Sequence, residues 1–83
     1  MEPSDTVTMP QGTTGLLGQL TVNGKRIPLE QPVTIADFLS ARGLHQKTVV
    51  VEHNGEIVPR ERYGVVALNA GDTVEIVQMM AGG

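Results

Sequence analysis

Cysteine is absent from the 83 residues. That excludes disulfides, thiolate-ligated zinc, iron–sulfur clusters and a cysteine nucleophile together. It accords with a reducing compartment, and the expected localisation is cytoplasmic. Aromatics are scarce: Phe38 and Tyr63 are too few for a base-stacking platform. Basic charge is also short, with six Lys and Arg against nine Asp and Glu and a net charge of −3. Such a balance makes a poor electrostatic footprint for nucleic acid. No apolar run approaches a membrane span. The opening MEPSDTVTMP has neither the positive nor the apolar region of a signal peptide. Neither nucleic acid nor membrane is therefore an expected partner. What the chain does have is 40% hydrophobic residues, enough for one small core without a metal or cross-links.

Residues 1–17, punctuated by Pro3, Pro10, Gly12 and Gly15 and rich in Ser and Thr, read as a flexible extension. The folded domain is expected over 18–80, with a flexible tail at 81–83. Asn23-Gly24 separates two alternating runs, which is a strong hairpin signal because both turn positions require positive φ. Pairing Val22 with Lys25 places Leu20, Val22, Ile27 and Leu29 on one face, so one register gives one apolar face. Pro28 cannot donate to a ladder and puts its strand at a sheet edge. Thr34 and Asp37 form a capping-box-like pair, Val33 is placed to staple onto Phe38, and Ile35, Phe38 and Leu39 make an apolar stripe. Gly43 and Leu44 suit a Schellman ending, so a helix is expected from about Ile35 to Arg42.

A second hairpin follows at Asn54-Gly55. Pairing His53 with Glu56 groups Val49, Val51 and Val58 on one face and Val50 and Ile57 on the other, and both faces are apolar enough to leave the inward one open. Pro59 ends that strand, Arg60 to Tyr63 read as a short helical turn, and Val65 to Leu68 as a short strand or extended piece. Asn69-Ala70-Gly71-Asp72 is a tight turn. The last strand is expected over Thr73 to Met79, with Val74 and Ile76 inward and Val77 and Met79 outward. The fold class is therefore α+β: a β-grasp, or ubiquitin-like, domain. It has a mixed sheet of four to five strands and one main helix on one face, with the first and last strands parallel neighbours at the centre.

No catalytic constellation emerges within the chain. His45 and His53 read as surface histidines without metal-ligand spacing. Glu52, Glu56, Arg60, Glu61 and Arg62 read as a solvated charged rim. The tail is different. It leaves a central strand directly, and Gly82-Gly83 can thread a slot too narrow for any Cβ. Its carboxylate is a poor electrophile until ATP converts it to an acyl-adenylate. A sulfur nucleophile can then displace AMP and leave a thiocarboxylate, so that the chemistry needs only the terminus and a partner.

VVVEHNGEIVPRERY (49–63) and AGDTVEIVQMMAGG (70–83), with VNGKRI and TIADFL, resemble the ThiS family of sulfur carriers in thiamin thiazole biosynthesis. The resemblance covers about Gly18 to Gly83; the N-terminal extension departs from it. It implies that Gly83 is the sulfur-carrying residue, adenylated by a ThiF-type enzyme and converted to a thiocarboxylate, with Ala81 and Gly82 as its flexible approach. It further implies a cysteine desulfurase as sulfur donor, delivery to thiazole synthase (ThiG), no bound cofactor, ATP consumed by the activating partner, and a monomeric free form that is not itself an enzyme. Val77 and Met79, outward by strand parity, are the expected docking surface. Two related chemistries stay open: a MoaD-like carrier for molybdopterin synthesis, whose tail commonly has prolines where Gln78, Met79 and Met80 stand here, and a ubiquitin-like protein modifier. A plain interaction domain is the third alternative.

Overall fold

Asn23-Gly24 and Asn54-Gly55 organise the sheet. Both asparagines have positive φ, 50° and 51°, and the glycines after them 85° and 88°. These tight turns match the twist of the flanking strands and fix their registers. The computed structural model describes residues 17–79. In chain order it contains β1 (Gly18–Val22), β2 (Lys25–Leu29), β3 (Val33–Thr34), α1 (Ile35–Ala41), a 3-10 turn at Gln46–Thr48, β4 (Val49–His53), β5 (Glu56–Ile57), a second 3-10 turn at Arg60–Arg62, β6 (Ala67–Leu68) and β7 (Thr73–Gln78).

Five strands form one sheet in the order β2-β1-β7-β4-β5. Val22 pairs with Lys25 and Leu20 with Ile27, as the apolar pattern requires. His53 pairs with Glu56 in the second hairpin. β1 and β7 are parallel neighbours at the centre, and Pro28 lies on the edge strand β2. The ambiguity of the valine run is resolved by packing: Val49, Val51 and Val58 are buried, whereas Ile57 lies in solvent. Together with Leu20, Val22, Leu29, Val74 and the helix residues Ile35, Phe38 and Leu39, they form one core. Each fully buried leucine or isoleucine contributes about 1.5–3 kcal/mol relative to an exposed one.

The helix is held at both ends. Thr34 Oγ1 accepts from Asp37 N at 3.0 Å. The two preceding donors find acceptors elsewhere in the chain: Ile35 N donates to Val66 O and Ala36 N to Tyr63 O. Three of the four orphan N–H groups of the helix start are thus satisfied by these bonds. At the other end Leu44 N bonds Leu39 O and Gly43 N bonds Ser40 O, a Schellman motif with Gly43 at φ 73°. The helix closes at Ala41, one residue short of the expectation, because Arg42 has already left helical geometry as the C-cap. Likewise β7 ends at Gln78, although Met79 N still bonds Thr48 O.

The sequence pattern did not suggest a second, two-stranded sheet of β3 and β6, in which Val33 pairs with Leu68 and Thr34 with Ala67. It carries the chain from the 3-10 turn past the helix N-terminus. It also explains the segment Pro59–Val66 physically: Tyr63 is buried, and its carbonyl and that of Val66 close the helix start.

Candidate functional site

The site is built around β7, the strand that leads to the diglycine. Along one side β7 is zipped to β4 in five consecutive pairs, from His53↔Val74 to Val49↔Gln78. Met79 N extends that contact by donating to Thr48 O at 2.7 Å. On the other side β1 pairs only with Thr73 and Val74. Beyond that point a side chain takes over. Asn23 Oδ1 accepts from Ile76 N at 2.7 Å, and Asn23 Nδ2 donates to Ile76 O at 3.1 Å. One amide thus imitates one further residue of the β1 ladder.

Outward from this strand lies the open face of the sheet. Val77 is 60% exposed and Met79 44%, in agreement with strand parity. Val50 faces Val77 across the ladder. Ile57, 66% exposed on β5, is opposite Glu52 and so lies on the same face. Glu52 and Glu75 stand directly opposite each other beside these apolar groups, a like-charge pairing that costs the isolated sheet stability. On the inner side a shallow pocket of about 310 Å³ is lined by Val22, Asn23, Arg42, Leu44, Ile76 and Gln78. Arg42 rests over the Phe38 ring, its guanidinium carbon 5.1 Å from the centroid. Ala81, Gly82 and Gly83, the expected carrying tail, lie outside the described residues.

The far end of β7 is polar and structural. His53 Nε2 lies 2.7 Å from Asp72 Oδ2, with both side chains 19% exposed. His53 is therefore a half-buried hydrogen-bonded group, which corrects the expectation of a surface histidine; the turn at 69–72 folds over it. Asp72 also accepts from Asn69 N and Asn54 Nδ2, and Asn54 Oδ1 accepts from Thr73 N. Desolvation pushes the Asp72 carboxyl up, but the hydrogen bonds from His53, Asn69 and Asn54 outweigh it and hold the group below its ordinary value. This cluster is separated from Gln78 by five strand steps from Thr73, roughly 17 Å. His45 caps the first 3-10 turn, its Nδ1 accepting from Lys47 N at 3.2 Å. Among the described residues no three His, Asp or Glu side chains could hold a metal ion, and none of the helices there is long and apolar enough to cross a membrane. In the charged stretch, Arg60 Nε donates to Gln46 O, while Glu56, Glu61 and Arg62 are exposed.

Sequence reasoning identified the strand, its direction and its outward pair. It missed Asn23 as a clamp on β7 and Asn54 as a partner of Asp72 and Thr73. The available signal was that both turns begin with asparagine, whose amide presents a donor and an acceptor side by side.

The model of the ThiS family matches residues 16–83. The sulfur carrier protein ThiS of Bacillus subtilis is 42% identical over 65 residues, covering 77% of this chain and 98% of that protein. A thiazole synthase of Paramagnetospirillum magneticum is 38% identical over 65 residues, and one of Magnetococcus marinus 32%. The matched stretch is 78% of this chain but only 20% of each synthase, so the chain spans about a fifth of their length. A crystal structure of the thiamine biosynthesis protein ThiS from Geobacter metallireducens superposes with a TM-score of 0.68 at 37% identity, over 78% of this chain and 99% of that one. Its solution structure gives 0.66 at 35% identity, over 78% and 87%.

Proposed function

Because the chain belongs to the ThiS family, we propose that it is a sulfur carrier for thiamine biosynthesis that works through the carboxylate of Gly83. It is a carrier and not a catalyst: partners supply the reacting groups. The observation that carries this reading is the position of β7. It is the central strand of the sheet, anchored along β4 and clamped by Asn23, and the sequence runs from its end straight into Met80-Ala81-Gly82-Gly83. A rigid base with a side-chain-poor arm suits delivery of a terminus into a closed site.

In this reading a ThiF-type enzyme transfers AMP from ATP to the Gly83 carboxylate, with pyrophosphate leaving. A sulfur nucleophile supplied through a cysteine desulfurase then forms the C–S bond as the C–O bond to AMP breaks. The thiocarboxylate passes its sulfur to a thiazole synthase. That acceptor is supported by the two longer relatives named thiazole synthase, in which a segment like this chain makes up a fifth of the length. Val77 and Met79 are the docking surface beside the arm. Cytoplasmic localisation and a monomeric free form belong to the same proposal.

The test is intact-mass spectrometry after incubation with ATP, the activating enzyme and a sulfur source. The expected result is replacement of one oxygen by one sulfur in the full chain and none in a chain lacking Gly83. An unchanged mass, with the activating enzyme working on a control carrier, would overturn the proposal.

A further inference from the structure

Backbone groups of β7 alternate between its two neighbours. Asp72 O and Val74 O accept from Thr21 N and Asn23 N on the β1 side. Thr73 O and Met79 N bond Asn54 N and Thr48 O on the β4 side. Ile76 faces the β1 side and is satisfied by the Asn23 amide. By the same alternation Gln78 directs its N–H and C=O to the β1 side, one step past Asn23. No described residue bonds them there. The adjoining space is the pocket between Asn23, Arg42 and Leu44.

The other sheet edges are blunted. β2 carries Lys25, Arg26 and Pro28 on its free edge, and β5 is short and followed at once by Val58 and Pro59. Such features prevent strand addition. The free step at Gln78 has neither a charge nor a proline, and it lies at the root of the arm, five residues before Gly83. Unpaired strand groups beside an open pocket are a template for an added strand.

We propose that the Gln78 edge is a docking edge: an extended segment of the thiazole synthase pairs its backbone with Gln78 and lies beside the departing tail. Thr48 holds the root of the arm from one side, and the partner strand holds it from the other. The arm then leaves the complex in one direction only. The identity of the partner rests on the carrier reading above; the edge itself is a property of this fold.

The test uses the full chain and purified thiazole synthase. Gln78→Pro removes the N–H on the free side while leaving the β4 ladder untouched, since residue 78 does not bond across it. Gln78→Ala removes the side chain and keeps the N–H. Calorimetry is expected to show Gln78→Ala binding like the parent and Gln78→Pro binding roughly five- to hundredfold more weakly, the range for leaving one buried backbone acceptor unpaired. Thermal unfolding should be the same for both variants. In the unaltered chain, exchange of the Gln78 amide should slow on complex formation, which keeps the test decisive should the proline variant fold poorly. Parent-like binding by Gln78→Pro, or an unchanged exchange rate at Gln78 in a formed complex, overturns the docking edge and leaves the carrier function standing. Absence of binding by the parent chain overturns the synthase as partner, and the docking edge with it.

Discussion

At the scale of single residues, the tightest constraint is the approach of Gly18 to the turn before β7. A Cβ built on Gly18 would lie 2.7 Å from Ala70 Cβ. Gly18→Ala is expected to destabilise by about 1–3 kcal/mol, as overpacking does. Adding Ala70→Gly should recover part of that loss, because it removes the atom that clashes; urea titration of the single and double variants measures both. Asp72 gives a pH prediction. Its carboxyl is held below its ordinary value in the folded chain, so its contribution is fully present above the unfolded value, near 4, and is lost as pH falls through the folded one. Asp72→Asn should therefore flatten the fall of stability below about pH 4. An acid limb identical in the two proteins would show that other carboxylates set it.

At the scale of elements, the hairpin asparagines have two roles. Asn23→Gly keeps a residue that accepts positive φ, so the turn survives. It removes both hydrogen bonds to Ile76, one donated and one accepted. A loss of about 1–3 kcal/mol is expected, with β7 amide exchange accelerating at Ile76 ahead of Val74. The turn role was legible because it depends on neighbours in sequence. The clamp was not, because Asn23 and Ile76 are 53 residues apart and no periodicity encodes such a pair. The same reason hid the β3–β6 sheet: two residues are too few to show an alternation. Both helix ends were legible, since caps are local chemistry at Thr34 and Gly43. The direction of the valine strand β4 was undecided from sequence because Val50 and Ile57 mimic a second apolar face; in the folded chain that face is the open side of the sheet.

At the scale of the whole molecule, the open sheet face carries the proposed docking surface. Val77 and Met79 are exposed apolar groups at the end of the strand that precedes the diglycine in sequence. Val77→Lys is expected to weaken binding of the activating enzyme or the synthase by at least about tenfold, as loss of a central apolar contact does, with the melting temperature unchanged. Equal affinity would place docking elsewhere. The parity that put Val77 outward was readable in the alternation of Val74 and Ile76; the apolar company of Val50 and Ile57 emerged only from strand order. One feature sets a length scale. Among the described residues, the last one hydrogen-bonded to the body of the domain is Met79, through Thr48, and Gly83 lies four residues further in sequence. A fully extended chain spans at most about 3.3–3.6 Å per residue, so Gly83 reaches no more than roughly 14 Å from that anchor. The domain therefore works as a ruler. In the proposed carrier role, every enzyme that acts on Gly83 must place its reacting atoms inside that radius of the docked strand end, and removing one glycine would withdraw the carboxylate by about 3.3–3.6 Å, the length of a near-attack contact.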